Sequence, residues 1–95
     1  MAESIIQDDK TQCFMCGSSR WIECHHVYGA SNRTKSDDLG LTVYLCHYCH
    51  NEPPNGVHFN RANKQALQAK VQEIAMEYYG WSIDDFRREF GKNYL

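Results

Sequence analysis

No stretch of this sequence approaches the roughly 20 apolar residues of a membrane-spanning helix. Its opening run, MAESIIQDDK, also lacks the apolar segment of a secretory signal. The expectation is a cytoplasmic chain with no membrane partner. An excess of basic residues is missing too: ten Lys plus Arg stand against twelve Asp plus Glu, a formal net charge of −2. That argues against general electrostatic coating of nucleic acid, while a local basic cluster or a bound cation could still supply positive charge at one spot. Internal repeats and low-complexity tracts are absent, which excludes repeat architectures. Nor is there length for a large core. A chain of 95 residues buries only about 60–65% of the surface its unfolded state exposes. Domains of this size often recruit a metal or disulfides to become stable.

Cysteine, by contrast, is plentiful, with five in the chain. In a reducing compartment clustered cysteines read as metal ligands rather than disulfides. Cys13-x-x-Cys16 and Cys46-x-x-Cys49 are two knuckles of the same spacing. A gap of two residues lets both thiolates of a turn converge on one tetrahedral ion, and two such pairs complete a closed four-sulfur Zn²⁺ site. With every position taken by sulfur, that zinc has no place for water; it is scaffold. Cys24, the odd one out, is expected in the core as a small apolar group.

The chain divides into a flexible leader over 1–10, a zinc-stabilised core over 11–60 and a helical extension over 61–95 that packs on the core, forming a single domain overall. Strand-like runs over 21–27 and 41–46 pair as an antiparallel ribbon, joined by a polar loop over 28–40. A long helix is expected from Arg61 to Tyr79, capped by Asn60 and stopped by Gly80. Leu67, Val71, Ile74, Ala75 and Tyr78 form its apolar stripe. Ser82 with Asp85 reads as a capping box for a last helix through Phe90, ended by Gly91. Trp21, Tyr44 and Phe59 are expected in or beside the core.

The remaining chemistry lies in His25, His26, His50 and His58. Consecutive strand residues point to opposite faces, so His25 and His26 should not share a task. One can turn toward the following helix and bind a metal while its neighbour faces water or substrate. An imidazole accepts protons near neutral pH, which suits a metal-assisted hydrolase. His47, between the second pair of cysteines, is expected to face solvent. Of the cations that flank these histidines in sequence, Arg20, Arg33, Lys35, Arg61 and Lys64, the favoured phosphate contact is Arg33, whose loop directly follows the histidine pair.

At ECHHV, at LCHYCHN and at the upstream Cys-x-x-Cys, the sequence resembles the HNH endonucleases, the ββα-metal nucleases, in their zinc-stabilised branch common in phages and mobile elements. GVHFN and FGKNYL also resemble small phage-encoded members. The resemblance spans Cys13 to about Asn60. It implies an α+β fold: a small ββα-metal domain with a four-cysteine zinc site and C-terminal helices. It implies that His26 is the general base, and that His25 and His50 hold one catalytic divalent ion, Mg²⁺, Mn²⁺ or similar, with His58 reaching the same ion. The substrate would be DNA and the chain a monomer or weak dimer. Its setting would be a bacterial host cytosol, with phage packaging or recombination proteins as further partners. One position departs from the pattern. Leu41 stands where the motif carries its middle Asn, and Asn32 is expected to substitute from the loop, joining Arg33 at the substrate. The rival reading is a non-catalytic zinc module that binds nucleic acid or protein on an HNH-derived scaffold. A purely structural interaction domain rests only on the amphipathic C-terminal helix.

Overall fold

β-branched and aromatic residues dominate the two strand-like runs, and in a computed structural model describing residues 3–95 they form the ribbon. Strand β1 (Ile22–His26) pairs antiparallel with β2 (Thr42–Cys46), setting Ile22 opposite Cys46, Cys24 opposite Tyr44 and His25 opposite Val43. A short helix, α2 (His47–Asn51), follows β2 directly and packs back on both strands. The long helix α3 (Arg61–Tyr79) has the expected bounds. The Asn60 side chain accepts from Asn63 N at 2.9 Å, and Gly80 ends the helix in the left-handed region at φ +68°. The last helix is labelled α4 (Ile83–Phe90) and starts on the expected capping box between Ser82 and Asp85. The architecture is α+β, as expected: two antiparallel strands and four α-helices among the described residues.

The fourth helix was not anticipated. Within the stretch expected as loop, a 3-10 turn at Ala30–Asn32 leads into α1 (Arg33–Asp38). Its residues are turn formers and charges, so no apolar period announces it; tertiary partners hold it instead. Ser36 is fully buried, accepting from Tyr28 N at 3.2 Å and donating to Tyr28 O at 2.7 Å. Lys35 Nζ donates to the Glu89 carbonyl on α4 at 2.5 Å.

Leu41, Val43 and Leu45 form the floor of the core, with Val27, Val57, Val71, Ala75 and Phe86 packed against them. At its centre sits Tyr28, 1% exposed, ringed by Phe86, Phe90 and Tyr94, with its hydroxyl donating to Gln68 O at 2.6 Å. The α3 stripe is rotated from the expected one. Leu67, Val71 and Ala75 are buried, but so is Gln72, while Tyr78 is exposed. Gln72 is tolerable inside because both ends of its amide are used. Nε2 donates to Asn93 Oδ1 and Oε1 accepts from Tyr94 N, tying down the C-terminal tail.

Of the leader expected over 1–10, Met1 and Ala2 lie outside the described residues. From Glu3 onward it runs along the sheet. Ile5 N donates to Gly40 O, Ser4 Oγ to Thr42 O, and Tyr44 N to Gln7 Oε1. Gly40 has φ +74°, and a Cβ there would collide with the Glu3 carbonyl, so only glycine allows this approach. No helix among the described residues is long and apolar enough to cross a membrane.

Candidate metal centres

The first knuckle is a tight turn: Gly17, at φ +78°, donates its N–H to Cys13 O at 2.9 Å. A bond from Phe14 N to Tyr44 O fastens that knuckle to β2, whose end carries Cys46. Cys49 lies one turn on, in α2. All four sulfurs, Cys13, Cys16, Cys46 and Cys49, fall within 4.8 Å of one another. The Cys16 and Cys46 sulfurs stand 3.6 Å apart, well beyond a disulfide. Burial alone would raise the Cys13 pKa, but backbone N–H groups of Cys16, Cys46 and Met15 outweigh it and bring the thiol down to about 7. Burial and the three neighbouring sulfurs push Cys49 the other way. Four crowded sulfurs, one readily ionised and two, Cys16 and Cys49, resisting, are compatible with a structural zinc, whose charge would favour the thiolate form of all four.

The second cluster is built of imidazoles. On β1, Glu23 and His25 are alternate residues and share the face turned to α2. Opposite them, α2 presents His50. His58 arrives from the loop after α2, which folds back so that Val57 N meets Cys49 O at 2.8 Å and His58 N meets His50 O at 3.2 Å. Gly56 makes this return possible, since a Cβ there would stand 2.7 Å from the Glu52 backbone. The Pro-Pro-Asn-Gly interruption thus carries His58 to within 2.9 Å of His50, Nε2 to Nε2. One ring nitrogen from each of His25, His50 and His58 lies within 4.8 Å of the others.

This donor set fits a cation. Glu23 Oε1 accepts from His50 Nδ1 at 2.8 Å, which fixes the tautomer and leaves the Nε2 lone pair facing the other two rings. His50 beside it holds the Glu23 carboxyl below the usual carboxylate range, helped by His47 and Asn51. His25 is 5% exposed. Burial, then the neighbouring imidazoles, lowers its pKa to about 3, so it is a neutral donor at any physiological pH. His58 is displaced in the same direction, chiefly by burial.

His26 points the opposite way along the strand, as the alternation requires. Its Nε2 lies 3.4 Å from Asp37 Oδ1 on α1. That carboxylate oxygen is buried and has no hydrogen-bond partner. The two histidine faces meet at a cavity of about 310 Å³ lined by Cys24, His25, His26, Gly29, Ala30, Arg33, His50 and His58. Of the residues expected at the reacting centre and substrate, His25, His26, His50, His58 and Arg33 therefore share one cavity. Asn32 does not join them; its amide donates to Phe90 O at 3.1 Å and anchors the turn to α4. Leu41 is fully buried, and the loop between the strands is pinned by Ser36 through Tyr28.

Four other expectations are corrected. Cys24 is exposed on the cavity side of β1 rather than buried, because the ribbon covers only one of its faces. His47 is not simply in solvent: it stands between Glu23 at 3.2 Å and Glu52 at 3.6 Å. Trp21 and Phe59 are 65% and 59% exposed, Trp21 against Tyr48 at the ribbon's end. Residues missed outright are Glu23, Ser36 and Asp37. Glu23 carried a usable signal, standing two places before His25 and hence on the same strand face. No protein-family model, curated protein or solved structure matches the chain.

Proposed function

We propose that this chain is a metal-dependent endonuclease of the HNH type that hydrolyses phosphodiester bonds in DNA. One observation carries the reading: three imidazoles converge within 4.8 Å on one side of a cavity whose other side bears a fourth, His26, beside a half-buried carboxylate with one enclosed oxygen. Each feature meets a need of phosphodiester hydrolysis. His25, His50 and His58 would hold a divalent ion, Mg²⁺, Mn²⁺ or similar. Such an ion supplies Lewis-acid stabilisation of charge on the scissile phosphate and the departing 3′ oxygen. His26 accepts the proton of the attacking water. Asp37, 3.4 Å from its Nε2, stabilises the imidazolium once the proton arrives. Arg33, on the cavity wall, offers a planar donor fork to a phosphate oxygen. The zinc compatible with the four cysteines takes no part in the chemistry; it would fix the end of β2 and the start of α2, from which His50 projects.

The resemblance to zinc-stabilised HNH nucleases of phages points the same way. Leu41 is no obstacle to this reading, since Ser36 makes the backbone bonds that steady the loop. One isolated site suits single-strand nicking, and double-strand cleavage would require a second copy or a partner.

The test is conversion of supercoiled plasmid to open circles with and without Mg²⁺ or Mn²⁺, beside His26→Ala. Nicking should depend on the ion and fall about 10²–10⁴-fold in the variant, with its melting temperature and zinc content unchanged. Equal background from both proteins would transfer the chain to the rival reading, a zinc module that binds without cutting.

A further inference from the structure

A second concavity, about 530 Å³, begins at His58 and continues away from the imidazole cluster between the start of α3 and the C-terminal tail. Its cations are Arg61, Lys64 and Lys92, and no Asp or Glu lines it. In a chain with net charge −2, that is a local concentration of positive charge against the overall balance. These cations also differ in company from Lys10, Lys35, Arg87 and Arg88, each of which stands by a carboxylate. Arg61, Lys64 and Lys92 have no ion-pair partner among the described residues, and all three are exposed. Lys92 lies over the Tyr94 ring at 5.1 Å, and both residues line the groove.

The spacing is regular. Arg61, Lys64, Gln65 and Gln68 stand at i, i+3, i+4 and i+7 of α3 and so share one helical face. They span about 10 Å of helix. Charges recur about every 3.4 Å of duplex axis on one strand and are farther apart along the backbone itself, so that length reaches more than one phosphate. Gln65 and Gln68 add amide groups between the charges.

We infer that this groove is the track for the DNA backbone flanking the scissile phosphate, with Arg61, Lys64 and Lys92 as its phosphate contacts. The inference rests on the nuclease reading above and deepens it: it gives the C-terminal helices and tail a substrate-binding task in addition to their packing. Three contacts on one side of the scissile bond supply the electrostatic affinity that net charge withholds.

The experiment measures binding of a 20-base-pair DNA duplex by the zinc-loaded chain carrying His26→Ala, so that cleavage does not interfere, as a function of salt. Added Arg61→Gln, Lys64→Gln and Lys92→Gln together should weaken binding about 10²-fold near 0.1 M salt. They should also reduce the slope of log affinity against log salt by about two to three. A control with Lys10→Gln, Arg87→Gln and Arg88→Gln removes the same charge from carboxylate-paired positions and should change affinity less than about threefold. Lys92→Gln alone, at an exposed tail position, should reduce the slope by about one, and carries the test if the triple variant fails to fold. Duplex binding that is equal in the groove and control variants overturns the inference and leaves the nuclease reading standing. A parent chain that neither binds nor nicks DNA overturns both. Tighter binding of an RNA duplex of the same sequence overturns the assignment of the groove to DNA.

Discussion

Cys49 and His50 are adjacent on one short helix, yet they serve donor clusters of opposite character. Cys49 turns to three sulfurs, two of them almost wholly buried. His50 turns to two imidazoles that border a cavity of about 310 Å³. Four sulfurs saturate a tetrahedral ion and leave nothing for substrate; three nitrogens beside a cavity leave coordination positions for water or phosphate. One helix of five residues thereby joins a closed sulfur cluster to an imidazole cluster that opens on a cavity. Adjacent residues point about 100° apart around a helix, which is what allows neighbours in sequence to face different donor clusters.

The sharpest way to break this comparison is to substitute the neighbours one at a time. Cys49→Ser should abolish stoichiometric zinc binding and the cooperative thermal transition. Structural zinc contributes on the order of 10 kcal/mol or more, as much as the whole stability of a small domain. Retention of a normal melting curve without zinc would show that the sulfurs are only packing groups. His50→Ala should leave zinc content and melting nearly unchanged while lowering ion-dependent nicking by about 10²–10³-fold. Loss of fold in both variants would mean that the two clusters are one structural unit.

Glu23 refines the comparison without touching a ligand's metal-facing nitrogen. It bridges His50 at 2.8 Å and His47 at 3.2 Å from the strand opposite. Glu23→Gln keeps the shape but lets the amide present a donor to His50, so the tautomer with a lone pair at Nε2 is no longer enforced. Affinity for Mn²⁺, measured by calorimetry on the zinc-loaded chain, should fall about 10–100-fold, with zinc binding unaffected. Unchanged Mn²⁺ affinity would remove Glu23 from the site.

The sequence was most readable where local chemistry decides the outcome. The cysteine knuckles, the Asn60 and Gly80 ends of α3 and the Ser82–Asp85 box are all short-range signals, and each appears at its expected place. The histidine pair could be divided because side-chain alternation follows from the extended backbone of any strand. What escaped depends on distant partners. Helix α1 is held by Tyr28 and Glu89, neither of which lies within it. Asp37 acquires meaning only when α1 lies against His26. The rotation of the α3 stripe toward Gln72 follows from the tail residues Asn93 and Tyr94 closing over its amide. Cys24 and Trp21 were assigned to the core by residue type, but a two-stranded ribbon has one open face and an open end, and they occupy these.

The smallest expected effect concerns pH. His25 has a folded pKa of about 3 because burial disfavours its charged form, whereas in the unfolded chain it titrates near 6.5. Above about 6.5 neither state binds the proton, and the full stability is present. As pH falls below that value the unfolded state gains a proton that the folded state refuses, so stability declines by up to about 1.4 kcal/mol per unit until about pH 3. Between pH 7.5 and 5.5 the zinc-loaded chain should therefore lose about 5–10 °C of melting temperature from this group alone. Acid also loosens zinc from thiolates, so the comparison that isolates His25 is with His25→Leu, whose loss over the same interval should be smaller by that amount. Mn²⁺ should raise the melting temperature of the parent chain at both pH values by binding the folded state, leaving the size of the decline unchanged because folded His25 carries no proton over this interval, and should do nothing for His25→Leu. Equal acid sensitivity in the two proteins would locate the effect at the sulfurs and leave the imidazole cluster without a part in stability.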